Sequence, residues 1–588
     1  MRQWIWFVFC IISLLPGCQK PGSSESFTET RQPVYPDYTT TYESAVYGFV
    51  VDENNQPLAG VQLYAGGLQT TTNALGFYQF NSAAFKKAAG TIKAQLSGYM
   101  DIVKSIVPIQ GKQIFVPIQM KLQNEAGTLP SGSGGRVSLS SGASVSLPAN
   151  SVVLASNSAP YSGTIHVSLH WLNPAEPELL QWQMPGDLRG IDSAGELKLL
   201  ASYGMLGIEL HSDLGEKLQL ASGKTANLVF PITNQQTSTA PSRIQLWYFD
   251  EIKGLWIQEG YALRIGNYYQ ASVKHFSFWN CDIGLPMVPF QAQFTDESLH
   301  PLQQMLVRVS VVGDSGLMRW AWTDTAGFVY GYVPAQQNLR IELVAPCNTT
   351  VPITTLQTTS QPVDLGTQVV NTQNFGVRVT GTVMNCNGLP VTNGYVTLRM
   401  AGRYYLAETN ATGGFQFTGL SCPGGSALIT AFDRLTSQQA TQITLPLSTG
   451  INQTGVITAC NVVNTERIYY QLDNTAYELL LPQHLFGGIF DFAGNTTTIN
   501  AVDLLNGNSQ VFNMDINGAD APGTYPIAAG TLQLRGANYT VISGGTVTIS
   551  EYGLIGEYIK GSFSGTIRNS SNGTNHTIDC TFSVKRDN

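Results

Sequence analysis

The sequence predicts an all-β chain of tandem sandwiches, and three observations carry that prediction. Charged residues make up 12% of the 588, about half the usual ~25% share. Thr, Gly, Val, Asn and Tyr take their place and favour strands and turns. Short segments alternate apolar and polar residues with period two between Gly, Asn and Asp turns. Finally, one turn recurs as Thr72-Asn73-Ala74-Leu75-Gly76, Thr323-Asp324-Thr325-Ala326-Gly327 and Thr409-Asn410-Ala411-Thr412-Gly413. One unit repeated three times accounts for this better than three coincidences.

Length sets a prior of roughly four domains at about 150 residues each. The formal net charge is −8, with no basic run. That argues against nucleic acid as a partner, because a phosphate-binding face needs clustered Lys and Arg.

The chain opens on a targeting segment, residues 1–17. Arg2 precedes the apolar run Trp4–Leu15, which is too short for an ordinary membrane span. The run ends Leu15-Pro16-Gly17-Cys18. This resembles the bacterial lipobox, which implies that Cys18 is lipidated and becomes the first residue. The resemblance implies a bacterial cell envelope protein, lipid-anchored to the outer membrane, with the membrane as a partner. Residues 18–43 are rich in Ser, Thr and Pro and read as a flexible tether.

Residues 44–122 read as the first sandwich. Val46, Gly48 and Val50 alternate into the turn Asp52–Gln56. Pro57, Leu58, Gly60 and Val61 start a second strand, and Phe77–Phe80 leaves the repeated turn. Gly76 supplies φ > 0 there, and Asn73 shapes the turn by bonding its own backbone. The stretch resembles the carboxypeptidase regulatory-like domain, a transthyretin-like β-sandwich. The resemblance implies the fold and no activity. Ala83–Ala89 carries the only helical hint. Gln123–Gly134 reads as a Gly/Ser linker, and Ser131–Gly135 lacks the βαβ context of a phosphate loop.

Residues 134–285 form the next unit. Its opening, Gly134-Gly135-Arg136-Val137, Gly142 and Val145–Val152, resembles the ZU-type β-domain of netrin receptors and ankyrins. Gly186-Asp187-Leu188 and Ser202-Tyr203-Gly204 resemble the related domain of cartilage intermediate layer protein. Residues 286–374 read as an Ig-like sandwich degenerate at its start, and 375–462 as a further one, with Gly381-Thr382-Val383, Pro390 and Gly394-Tyr395-Val396. Residues 467–588 form a C-terminal β domain. Two of its strands alternate, one through Ile559, Phe563 and Ile567, the other through Ile578, Cys580, Phe582 and Val584.

Candidate chemistry is sparse. The seven His are scattered. His166 and His170 share a strand face but sit roughly 13 Å apart, too far for one ion, and read as solvent-facing. His-Glu-x-x-His, Cys-x-x-Cys and Gly-x-Ser-x-Gly do not occur. Gly223-Lys224-Thr225 lacks the phosphate-loop glycine, since residue 218 is Leu. The expectation is therefore no metal and no cofactor.

One tripeptide stands out, His275-Phe276-Ser277. In some ZU-type domains, and in one nucleoporin, this tripeptide cleaves its own backbone between Phe and Ser. The resemblance implies that the Ser277 hydroxyl attacks the Phe276 carbonyl while His275 takes the proton. The same residues also suit an ordinary strand, with Phe276, Phe278 and Cys281 in the core and His275 exposed.

Six Cys remain after Cys10 and Cys18, and they allow 15 full pairings. Strand direction in the sandwich chooses among them. Cys386 and Cys460 fall at the bottom of the 375–462 copy, predicting Cys386–Cys460. Cys422 falls at its top, where the chain arrives from the bottom of the 286–374 copy, predicting Cys347–Cys422 between the two copies.

The leading functional expectation is a non-catalytic scaffold or binder of glycan, peptide or protein ligands, carried on sandwich-end loops. The alternative is a self-processing surface protein cleaved at Phe276–Ser277.

Overall fold

The computed structural model describes residues 33–588 apart from 74, 177–181, 437, 463–465, 474, 481–483, 492–493, 504–508, 554–557 and 588. Cys18, the signal segment and residues 18–32 of the tether lie outside the described residues. Every named element is a β-strand, from Thr41–Val51 to Asn575–Lys585. Among the described residues no helix is long and apolar enough to cross a membrane.

The first unit packs two sheets face to face. Phe77–Lys86, Thr41–Val51 and Gln113–Phe115 form one, with Ile118–Gln119 also on Thr41–Val51. Leu68–Thr71, Gln62–Ala65, Gly90–Gln95 and Ile102–Ile106 form the other. Val46, Val50, Leu63, Tyr78 and Ile92 fill the space between them. The helical hint at Ala83–Ala89 gives way to strand, because Ala83–Lys86 pairs with Thr41–Ser44. The segment before Thr41 is docked: the Leu197 N–H donates to the Val34 carbonyl (2.7 Å) and the Ala88 N–H to the Asp37 carbonyl (2.8 Å).

The second unit is a 13-stranded sheet. The stretch read as a linker supplies one of its strands, Glu125–Pro130, paired with Thr164–Leu172. Its Gly and Pro composition disguises the strand. An added Cβ at Gly127 would lie 3.3 Å from Val137, a tight fit that Val137 would have to relieve by a small shift.

The middle copy keeps two separate sheets. Phe328–Pro334, Met287–Thr295 and Val363–Val369 form one; Asp314–Trp322, Leu306–Val311, Asn338–Val344 and Thr350–Gln357 form the other. The third copy is one eight-stranded sheet, because Gln438–Ala440 pairs with both Ser426–Asp433 and Gly450–Val462. The cores of these two copies form a single buried cluster, including Phe294 and Leu343 from one and Val379 and Leu398 from the other. The C-terminal unit is an 11-stranded sheet in which Tyr558–Asn569 pairs along Asn575–Lys585 and buries Cys580.

The repeated turn is the same object three times. Asn73 Oδ1 accepts the Leu75 and Phe77 N–H groups. Asp324 Oδ1 accepts those of Ala326 and Phe328, and Asn410 Oδ1 those of Thr412 and Gly414. The turn glycines Gly76, Gly327 and Gly413 have φ of 72°, 76° and 73°. Each offers its carbonyl, at 2.8 Å, to the N–H of Val50, Phe294 or Val383. The start of the middle copy, read as degenerate, is complete in space. Asp296 Oδ1 accepts the Ser298 and His300 N–H groups, as Asp52 Oδ1 accepts those of Asn54 and Gln56. Thr295 bridges Pro301 as Val51 bridges Pro57.

Candidate functional site

A cleft of about 240 Å³ lies where the first unit, the second unit and the middle copy meet. It opens at the middle copy's edge. Asp314–Trp322 and Phe328–Pro334 are edge strands of their respective sheets, so the space between the sheets is open on that side. Phe290, Val309 and Val333 form its apolar floor.

Strand periodicity builds the walls. Along Phe328–Pro334, Val329 and Val333 point into the core while Phe328, Tyr330 and Tyr332 alternate outward and stay half-buried. Trp320 and Trp322 do the same on the other edge strand. Trp182 comes from the second unit, its ring centroid 5.6 Å from that of Trp322. Phe115 of the first unit meets Trp322 edge-on at 5.5 Å. Six half-buried aromatic side chains thus line one cleft, although folding normally buries such area.

Protein cations already sit on these rings. Lys112 lies over Phe328 at 5.3 Å, Arg189 over Tyr332 at 5.6 Å, Arg308 over Trp320 at 5.7 Å and Arg403 over Trp322 at 6.0 Å. Buried Arg189 is held by Asp187 Oδ2 (2.7 Å) and by the Ala88 and Ile106 carbonyls. Lys104 donates to the Trp182 and Met184 carbonyls, each at 2.8 Å. Burial pulls its ammonium down to about 7. Both contacts tie the first unit to the 182–189 segment. Asp324 lines the cleft, and burial raises its carboxyl above the usual range despite the Phe328 and Ala326 N–H groups and nearby Lys112.

The tripeptide His275-Phe276-Ser277 crosses between the strands Tyr268–Val273 and Phe278–Leu285. Phe276 is buried. The Gln219 amide accepts its N–H (2.6 Å) and donates to its carbonyl (3.1 Å), as a neighbouring strand would. The Ser277 hydroxyl donates to the Phe278 carbonyl (3.0 Å), two residues beyond the carbonyl it would attack. The His275 ring packs against Tyr248 and Trp279, and its Nε2 lies 3.6 Å from Glu259.

Cys386 and Cys460 are joined by a disulfide, with Cα atoms 5.0 Å apart. Cys347 and Cys422 carry free thiols, and each bears on the other's ionisation. His166 bonds Glu125 and Asp213, while His170 faces Gln183. Among the described residues no group of three or more His, Cys, Asp or Glu could hold a metal ion.

Sequence reasoning missed the cleft. A signal for it exists: counted from the turn glycine, the outward positions are Phe328, Tyr330 and Tyr332 in the middle copy, against Gly414, Gln416 and Thr418 in the third.

No family model and no curated protein matches this chain. Among solved structures it is similar to the shaft pilin SpaA of Lactobacillus rhamnosus GG, with 12% identity over 30% of this chain and 98% of that one, TM-score 0.17. It is also similar to the Bacillus anthracis TIE protein, with 9% identity over 73% of this chain and 72% of that one, TM-score 0.15. The major pilin subunit BcpA of Bacillus cereus gives 9% identity over 71% and 99%, TM-score 0.12. At such scores these likenesses carry no argument about what the chain does.

Proposed function

We propose that this chain is a non-catalytic binding and scaffold protein of the bacterial envelope, held to the outer membrane by a lipid on Cys18. In this reading five β units (44–122, 134–285, 286–374, 375–462 and 467–588) project from the membrane, and the three-unit cleft takes the ligand. The observation that carries it is the ring of six half-buried aromatic side chains around the cleft. Exposed aromatic area gathered in one concavity is the usual make-up of a ligand site. The test is ligand-induced change in tryptophan fluorescence of the mature protein, lost in Trp320→Ala with Trp322→Ala. An unchanged response in that variant rejects the cleft as the site. The anchor is tested separately: Cys18→Ser should abolish labelling by a fatty-acid analogue, and equal labelling rejects it.

The free pair Cys347 and Cys422 forms, in this proposal, a disulfide linking the two copies once an oxidising compartment is reached. Each thiol bears on the other's ionisation, which supports it. The second reading, cleavage at Phe276–Ser277, is supported by the Gln219 amide that donates to the Phe276 carbonyl. It expects two fragments on a denaturing gel and one band for Ser277→Ala. Intact mass after long incubation removes it.

A further inference from the structure

The three repeated turns differ in one atom that matters. The turn needs only an oxygen to accept two N–H groups, and the amides of Asn73 and Asn410 supply it. The middle copy uses a carboxylate, Asp324, at 7% exposure. Its Oδ1 takes both turn N–H groups; these favour the charge, but the Asn73 and Asn410 turns form without one. Burying a carboxylate is costly. The charge therefore calls for a role outside the turn, and Asp324 lines the cleft beside Phe328 and Tyr330.

An acceptor beside flat aromatic faces suits two ligand chemistries. One is a cation, held over ring faces. The other is a saccharide, whose hydroxyls donate to a carboxylate while its C–H faces lie on the rings, toward the negative π face. The rings decide between them. Phe328, Tyr332, Trp320 and Trp322 each already carry a protein cation 5.3–6.0 Å from the ring centroid. A cationic ligand would meet like charge at each of these rings. A sugar ring meets no such repulsion, and Lys112 can donate to its oxygens.

We infer that the cleft is a saccharide subsite in which Asp324 accepts ligand hydroxyls and the Trp320 and Tyr330 rings stack on the sugar. This rests on the reading of the cleft as the ligand site. The apolar floor selects a face of the sugar without polar substituents. Asp324 and Lys112 together select a ring with an adjacent donor and acceptor, which vicinal hydroxyls provide.

The test uses the mature full-length protein and its tryptophan fluorescence. The probes are neutral hexasaccharides (gluco-, xylo-, manno- and N-acetylglucosamine-based), a hexagalacturonate as the acidic arm, and tetraethylammonium with hexalysine as the cationic arm. At least one saccharide should bind. Asp324→Asn keeps the turn acceptor that the other two copies use, so it should fold and yet weaken binding about tenfold or more. Trp320→Ala should do the same. Neutral or acidic preference then names the sugar class. Cationic binding that depends on Trp320 and Trp322, with no saccharide response, overturns the ligand class and keeps the site. Saccharide binding unaffected by Asp324→Asn overturns the role of the carboxylate. No response to any probe overturns the site itself.

Discussion

The middle and third copies of the repeat share a turn and differ at the edge beside it. In the third copy the equivalent edge strand, Arg403–Glu408, is plugged. Gln304 Nε2 donates to the Leu406 carbonyl and Gln304 Oε1 accepts the Leu406 N–H, both at 2.8 Å. Counted back from the turn threonine, Trp320 occupies the position of Leu406, and there the edge borders a cleft. Leu406 is buried, whereas Trp320 is half-buried. One fold thus gives an edge closed by a neighbour's glutamine at Leu406 and an edge bordering an aromatic cleft at Trp320. Local turn chemistry sets the shared frame, and side chains outside the frame set what each copy can bind.

The largest contrast concerns what closes the third copy. Its Cys386–Cys460 disulfide spans 74 residues of sequence. Removing it with Cys386→Ser and Cys460→Ser should cost about 4 kcal/mol by loop entropy. Denaturant unfolding followed by hydrogen exchange should place the loss in residues 375–462, with the middle copy little changed. An equal loss in both would mean that their joint core makes them one unit. The turn glycines should fall next and alike. A Cβ at Gly327 would meet the Phe294 carbonyl at 2.4 Å, and one at Gly413 the Val383 carbonyl at 2.5 Å. Each Gly→Ala change should cost about 1–2 kcal/mol through its positive φ, plus the clash. Unequal losses would break the equivalence of the two turns.

These turns were legible in the sequence because their cause is local. A side-chain oxygen two and four residues before the N–H groups it accepts needs only Asn or Asp and a Gly nearby. The start of the middle copy was harder to read, since Phe294-Thr295-Asp296 replaces the Gly-x-Val-x-Asp of the first. The strand Glu125–Pro130 was hidden by its glycine and proline. The cleft was illegible for a different reason: Lys104, Arg189 and Trp322 come from three units, and no local pattern announces their meeting. Only the aromatic alternation of Phe328, Tyr330 and Tyr332 pointed to it.

Smaller effects come from charge. Burial raises the Asp324 carboxyl, so its folded value lies above the unfolded one. The folded state then holds that proton more tightly, and ionisation costs stability as pH rises past the unfolded value. Asp324→Asn should therefore leave thermal stability unchanged near pH 3 and raise it at pH 7. A loss at pH 7 would mean that the carboxylate is structural. Smallest of all is His166, raised by Glu125 and then Asp213. Its contribution is complete below the ordinary His range and fades as pH rises through the folded value. His166→Gln should lower the melting temperature slightly at pH 5 and not at pH 9; equal shifts at both pH values would rule out charge as the cause.

The central claim is that only the middle copy offers an open, aromatic edge, and hydroxyl-radical footprinting of the mature protein tests it most directly. Trp320, Trp322 and Tyr330 should label readily while Leu406, at the equivalent edge of the third copy, stays protected. A bound saccharide should suppress labelling of the first group alone. Equal labelling of the two edges, or saccharide protection that spares Trp320 and Trp322, would contradict the account.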